Sequence, residues 1–344
     1  MGLEIKSVSD AGPVQLKGIT WNHTRGLLPV VAAAQRYEEL HPGVRINWQK
    51  RSLQEFADQP LAELVADYDL LVIDHPWAGF AAESGVLAPM EDLLPADFLA
   101  DQAANSVGPS HESYRYDDRQ WALAIDAATP VASWRPDLLA AAGAEVPRTW
   151  ADLLALAREG RVLMPGIPQD ALMNFYMLTS LPGSDLFSSD EFVVSEELGV
   201  TALEQLRELA SFQPPCMFDK NPIAVYEAMT RGDDFAYCPF AFGYSNYSRA
   251  GYARKTLHFG DVVSLDGVPL RTTLGGTGLA VSGSCRHLDT AADYAQLVAG
   301  PGYQRTQYVE NGGQPGHRSA WIDAENNRRT HDYFAATLPC LDRA

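Results

Sequence analysis

The chain has 344 residues, 46% of them apolar and 10% aromatic, enough to bury a large core in two or three domains of ordinary size and too many for a disordered chain. Its 44 acidic and 26 basic side chains leave a formal net charge of −18, which argues against a nucleic-acid partner, because such binding draws on clustered Lys and Arg to displace counterions. A surface this acidic suits a dispersed monomer.

No run approaches the roughly twenty apolar residues that cross a bilayer. Cys216, Cys238, Cys285 and Cys340 form no C-x-x-C pair, so neither zinc nor redox spacing is present and buried free thiols are expected. The N-terminus, MGLEIKSVSDAGPVQLKGITW, has neither the apolar centre nor the small-residue cleavage site of a secretory leader.

Gln15 to Trp21 reads as the first strand, and Pro29 opens an amphipathic helix that runs to Leu40. His41-Pro42-Gly43 stops it, and Val44 to Trp48 alternates as a second strand. A helix over Leu53 to Ala66 leads to Tyr68–Ile73, a continuous apolar run of the kind buried in a parallel sheet. Alternating strands and helices predict a doubly wound α/β sheet.

Gln120 to Ala127 is a further predicted strand, followed by a helix over Pro136 to Ala142. Thr149 caps another over Trp150 to Glu159. Val162 to Met164 reads as a short strand, and Gln169 to Leu181 as a helix in which Phe175 and Tyr176 are expected in the core. After a loop over 182–195 come helices Ser195 to Ser211 and Ile223 to Arg231. Asp234 to Pro239 and Leu274 to Ser282 are strands; Thr290 to Ala299, Tyr303 to Glu310 and Ala320 to Ala336 are helices.

Neither G-x-S-x-G, a Walker loop nor H-E-x-x-H is present. Gly275-Gly276-Thr277-Gly278 lacks the third glycine and the preceding strand of a dinucleotide loop, so no cofactor is expected. In open α/β sheets, ligands bind outside the carboxyl ends of the strands. There the first strand ends in Trp21-Asn22-His23-Thr24-Arg25 and the third in Asp74-His75-Pro76-Trp77. One strand-end histidine is ordinarily a structural residue; two ends of similar chemistry strengthen the cleft reading. Zinc on His23, Asp74 and His75 would need a further ligand that the sequence does not place, so no metal is expected.

Tyr237 to Tyr247 (YCPFAFGYSNY) sets Tyr237, Tyr244 and Asn246 in an aromatic and polar run, suited either to stacking on sugar faces or to an aromatic mini-core. Gly312 to Ser319 (GGQPGHRS) offers backbone amides at a helix start, with Arg318 beside them, for a hydroxyl or a carboxylate.

In order, ITWNHTRGLLPVVAAAQRYEELHPGVRINW, YDLLVIDHPW, QWALAIDAATPVASWRPDLL, FAYCPFAFGYSNY, LGGTGLAVS and GGQPGHRSAW span nearly the whole chain. Together they resemble the bacterial extracellular solute-binding proteins (family 1) that serve sugar-importing ABC transporters. The resemblance implies a two-lobed, type II periplasmic-binding-protein-like α/β fold, each lobe a mainly parallel sheet flanked by helices, hinged by strands crossing near Ala124 to Thr129 and Thr273 to Ser282. It implies an N-terminal lobe of residues 1–125 and about 279–311, and a C-terminal lobe of 126–278 and about 312–344. By position it places His23, His75, Trp77, Asp126, Tyr237, Gly276 and Arg318 in the cleft; the strand-end and aromatic readings add Asn22, Arg25, Asp74, Tyr244, Asn246 and Gly275.

The function implied is binding of a small polar solute (a sugar, polyol or sugar acid) with hinge closure, outside the cytoplasm, in partnership with an ABC permease. His23, Arg25, His75 and Arg318 favour an acidic group on the ligand, and Asp126 a hydroxyl or ammonium. The chain departs from the family in lacking an export signal and in ending some tens of residues before members usually do, in a segment expected to be helical. Two alternatives therefore stand beside the importer: a cytoplasmic enzyme on the same scaffold with His23, His75 and Asp126 as acid–base groups, or a cytoplasmic ligand sensor.

Overall fold

In the computed structural model, residues 13–181, 184, 186, 187, 189 and 191–344 are described. The strands that build its main sheets are, in chain order, β1 (Val14–Trp21), β2 (Val44–Arg51), β3 (Leu70–Ile73), β4 (Leu123–Ala128), β5 (Pro130–Trp134), β6 (Tyr237–Phe242), β7 (His258–Gly260) and β8 (Gly275–Val281). The first sheet has five strands in the order β2-β1-β3-β8-β4. β1 runs parallel to β2 and β3, as right-handed strand–helix–strand units require, and β8 enters antiparallel between β3 and β4. The second sheet, β6-β5-β7, is antiparallel throughout, with a parallel bridge from Val162 to Tyr237 at its edge.

Each sheet has its own core. Leu16, Val30, Val72, Ile125, Val281 and Val298 fill the first, and Val131, Leu153, Met177, Phe240, Trp321 and Phe334 the second. At about 1.5–3 kcal/mol for each fully buried aliphatic or aromatic side chain, either cluster can hold its own lobe together. β4 leaves the first sheet at Ala128 and, one residue later, becomes β5 of the second. Alongside, Thr272 and Thr273 lead into β8, and the Thr129 hydroxyl donates to the Thr273 carbonyl at 2.8 Å. A third strip lies against β4, where the Ala127 N–H meets the Gln314 carbonyl at 3.0 Å and the Gly316 N–H meets that of Ile125 at 3.1 Å. Two of these strips lie near the crossings that the sequence suggests, and the one at Gln314 to Gly316 is additional.

Several elements differ from expectation for local reasons. The first helix spans Thr24–Leu40, beginning well before Pro29, because His23 caps it: Nδ1 accepts the Arg25 N–H at 3.0 Å. The expected helix over Leu53 to Ala66 is broken into Leu53–Asp58 and Leu61–Leu64 by Pro60, whose ring disfavours helical backbone in the residue before it. Strand β6 lies three residues beyond its expected position; it is an edge strand and tolerates Pro239. Val162 contributes one bridge rather than a strand. The last helix is divided into Arg318–Trp321, Ala324–Arg329 and Tyr333–Arg343 by the Asp323 cap and by His331 and Asp332, with φ of 48° and 60°. Cys216 is exposed, whereas the other three thiols are buried as expected. Among the described residues, no helix is long and apolar enough to cross a membrane.

Gly276 is a point of close approach in the crossing. Its φ is +112°, and a Cβ added there would lie 2.3 Å from the Asp126 carbonyl oxygen on β4. Gly276→Ala is expected to destabilise the protein by about 2 kcal/mol or more, read as a lower urea midpoint with an unchanged slope.

Candidate functional site

A cavity of about 790 Å³ opens between the lobes, within the usual range for small-molecule sites. From the first lobe, the end of β1 delivers Trp21, the start of the following helix Arg25, the helix Leu53–Asp58 Phe56, and the end of β3 Asp74 and His75. Across from them the helix Pro168–Thr179 presents Asp170 and Tyr176, and the end of β6 Phe242 and Tyr244. Thr272, Thr273, Gly275, Gly276 and Thr277 form the wall along the crossing strand. A Cβ on Gly275 would lie 2.4 Å from the Phe242 ring, so a bare backbone is needed there.

Aromatic faces come from both sides: Trp21 and Phe56 lie 5.5 Å apart, as do Tyr176 and Phe187. Several polar groups in the wall are unsatisfied. Trp21 Nε1, Thr273 Oγ1 and Thr277 Oγ1 are buried without a hydrogen-bond partner among the described residues. Such groups are costly to leave unpaired, at about 1–3 kcal/mol each, unless water or a ligand meets them.

Arg25 is the most fully engaged group in the wall. Its Nε donates to Asp126 Oδ2 at 2.8 Å, its Nη2 to Asp126 Oδ1, and its Nη1 to the Gly243 carbonyl at 2.7 Å, while the guanidinium lies 4.6 Å from the Tyr244 ring centre. Burial works against the charge, but the Asp126 carboxylate outweighs it and raises the guanidinium pKa. Arg25 stays protonated, and its charge is already neutralised. Asp170 is the opposite case. It is 6% exposed, and its carboxyl has neither an ion-pair nor a hydrogen-bond partner among the described residues. Burial alone pushes its pKa up to about 7.

The sequence profile of the family described as "Bacterial extracellular solute-binding protein" matches residues 32–320. The chain belongs to this family. A search of curated proteins by sequence finds no match. Three solved solute-binding proteins share its architecture. Maltose-bound MalE3 of T. maritima superposes with a TM-score of 0.81 at 17% identity, covering 96% of this chain and 88% of that one. The ABC transporter solute-binding protein of Agrobacterium radiobacter K84, in complex with ribitol, gives 0.80 at 19%, covering 97% and 88%. The GacH receptor of Streptomyces glaucescens GLA.O gives 0.77 at 18%, covering 96% and 87%. The two-lobed, type II periplasmic-binding-protein-like architecture is therefore that of this chain.

In this solute-binding protein, the cavity brings together Arg25, Asp74, His75, Tyr244, Gly275 and Gly276 of the residues expected from the sequence. The others lie elsewhere. Tyr237 is fully buried in the second core, because the shift of β6 puts it at the start of the strand rather than at the cavity end. Asn246 is also fully buried and holds the Gly312 carbonyl at 3.1 Å. Arg318 pairs with Asp342 and donates Nε to the Ser106 carbonyl at 3.1 Å, away from the cavity. Asp126 lies behind Arg25 at 1% exposure. Asn22 is exposed outside the wall, its N–H on the Arg51 carbonyl at 2.7 Å, and Trp77 packs edge-on against Phe80.

His23 is occupied at both ring nitrogens, by the Arg25 N–H and, at 3.2 Å, by the Tyr252 hydroxyl. Burial, then the Arg25 charge, lowers its pKa to about 3, so it is neutral near pH 7. The acid–base set His23, His75 and Asp126 therefore does not assemble: only His75 reaches the cavity, where Nδ1 lies 3.2 Å from Asp74 Oδ1 without hydrogen-bond geometry. Nor, among the described residues, do three His, Cys, Asp or Glu side chains converge as a metal site. The amides of Gly312, Gly313, Gly316 and Arg318 are all bonded to backbone carbonyls, and that loop offers no anion cradle.

Trp21, Phe56, Asp170, Tyr176, Phe242, Thr272, Thr273 and Thr277 line the wall beyond the residues that the sequence singles out. Tyr176 faces the cavity, while its neighbour Phe175 packs on the second core as expected. Trp21 closes a predicted strand, whereas the cavity positions of the others follow from no local pattern in the sequence.

Proposed function

We propose that this solute-binding protein takes a small polyhydroxylated solute, a sugar or polyol, into the cavity and closes on it. It acts outside the cytoplasm as the binding component of an ABC importer. The carrying observation is the pairing of aromatic faces from both lobes with buried, unpartnered polar groups in one 790 Å³ space. Aromatic rings stack on the C–H faces of sugars, and the spare donors of Trp21, Thr273 and Thr277 meet ring and hydroxyl oxygens. Residues 13–125 and about 279–311 move as one lobe against the rest, and contacts from both sides favour the closed state. MalE3 of T. maritima holds maltose and the A. radiobacter protein ribitol, which supports the same chemical class here. An acidic ligand has less support, since Arg25 is neutralised, Arg318 is outside the cavity and His23 is uncharged.

A thermal-shift panel of sugars, polyols and sugar acids, each recovered and checked for product, tests the reading. A ligand at about a hundred times its Kd adds about 2.7 kcal/mol of stability and raises the midpoint, with the compound returned intact. Trp21→Phe, which keeps an aromatic face and removes the spare N–H, is expected to weaken that ligand about fivefold to tenfold and also to lower the unliganded midpoint, because the indole is packed in the first core. Conversion of the bound compound, or a panel with no shift at all, would overturn the proposal.

A further inference from the structure

We infer that the cleft is selective for a polyol carrying a basic amine, an amino sugar or amino alditol, whose ammonium pairs with the Asp170 carboxylate. This rests on the solute-binding reading above and specifies the ligand class of the same site.

Asp170 is a carboxyl more than nine-tenths buried, on the cavity wall, with no partner among the described residues. Among the described residues, the basic side chains lining the cavity are Arg25, Arg271 and His75, and each has contacts of its own. Arg25 is bonded by both nitrogens of its fork to Asp126. Arg271 stands exposed at the mouth and donates to the carbonyls of Arg343 and Ala344 at 2.9 and 3.4 Å. His75 lies against Asp74. The titratable neighbours of Asp170 across the wall are Tyr244, pushed up to about 12, and Cys238, pushed up further, both chiefly by burial; neither carries a charge at neutral pH.

Among the described residues, the lining thus carries the Asp74 carboxyl with His75 beside it and the Asp170 carboxyl with no basic side chain bonded to it. A ligand ammonium supplies the missing charge and donates up to three hydrogen bonds. A neutral hydroxyl can also donate to Asp170, but a charge-assisted bond is about twice as strong. A ligand carboxylate meets like charge from both walls. The net charge of −18 further concentrates cations around the molecule.

The test uses two matched sets, D-glucamine, D-sorbitol and D-gluconate, and D-glucosamine, D-glucose and D-glucuronate, titrated calorimetrically into the whole protein and into Asp170→Asn. The amine is expected to bind about tenfold or more tighter than the neutral member of its set, with the acid weakest. In Asp170→Asn the amine preference should shrink to within about threefold while the neutral member still binds. An amine that binds no better than its neutral counterpart in the unsubstituted protein overturns the inference whatever the variant does, and leaves solute binding standing. Amine preference that survives in a folded Asp170→Asn, or in Asp170→Ser should the first variant misfold, also overturns it. Absence of binding by every member of both sets at about 10 mM overturns it together with the reading on which it rests.

Discussion

Asp126→Ala is expected to lower the unfolding free energy by about 3–5 kcal/mol, because it leaves the Arg25 guanidinium buried without its counterion. The two side chains are 4% and 0% exposed, and Asp126 receives two of the hydrogen bonds that Arg25 makes. Neither partner can turn to water, so the usual discount for a solvated ion pair does not apply. The third bond, to Gly243, and the Tyr244 ring under the guanidinium tie the first lobe to the second at the cavity wall. Urea unfolding should therefore show a lower midpoint, and the variant should also lose ligand affinity. Replacing both partners, as Arg25→Met with Asp126→Leu, should recover much of the lost stability and none of the ligand binding, since an apolar pair has no buried charge to strand. A loss below about 1 kcal/mol in Asp126→Ala would mean that water reaches the pair.

The pair also marks where the sequence stops being readable. Arg25 and Asp126 both stand at expected cavity positions, but they lie 101 residues apart, and no spacing rule joins them. The sequence therefore suggests two polar ligand contacts, whereas the fold makes one neutralised strut of which only Arg25 reaches the cavity. Alternation and helix punctuation, by contrast, are local, and they locate β1, β2, β3 and β8 to within a few residues. Where that local reading slips, the reason is local too. His23 caps a helix as Asn or Asp commonly would, and Pro239 sits in an edge strand that lacks a ladder partner on one side. The slip at β6 alone is enough to send Tyr237 into the core and bring Phe242 and Tyr244 to the cavity. Asp170 gives no sign at all in the sequence, because an acid in the first turn of a helix is an ordinary surface feature. Its burial is set by tertiary packing, which brings Cys238 and Tyr244 near it.

Asp170 then yields a pH dependence of definite sign. The difference in stability between Asp170→Asn and the unsubstituted protein is expected to grow in favour of the variant as pH rises from 4 to 8, by about 4 kcal/mol. The carboxyl titrates at 3.8 when unperturbed and at about 7 in the unliganded fold. Below pH 3.8 it is protonated in both states and has no effect on the balance. Between the two values the folded state holds a proton that the unfolded state has released, so each increase in pH favours unfolding. Above about pH 7 the whole penalty is present, about 4 kcal/mol for a shift of this size at 1.36 kcal/mol per pH unit. Carboxyls held low by arginines, such as Asp137, change stability in the opposite direction, but they are common to both proteins and cancel in the difference. Urea midpoints at half-unit steps of pH provide the measurement. An amine ligand should flatten the curve, because its ammonium stabilises the ionised Asp170 and the variant cannot respond in the same way. A difference that is already independent of pH without ligand would place Asp170 in contact with water and remove the reason for a cation in the cleft.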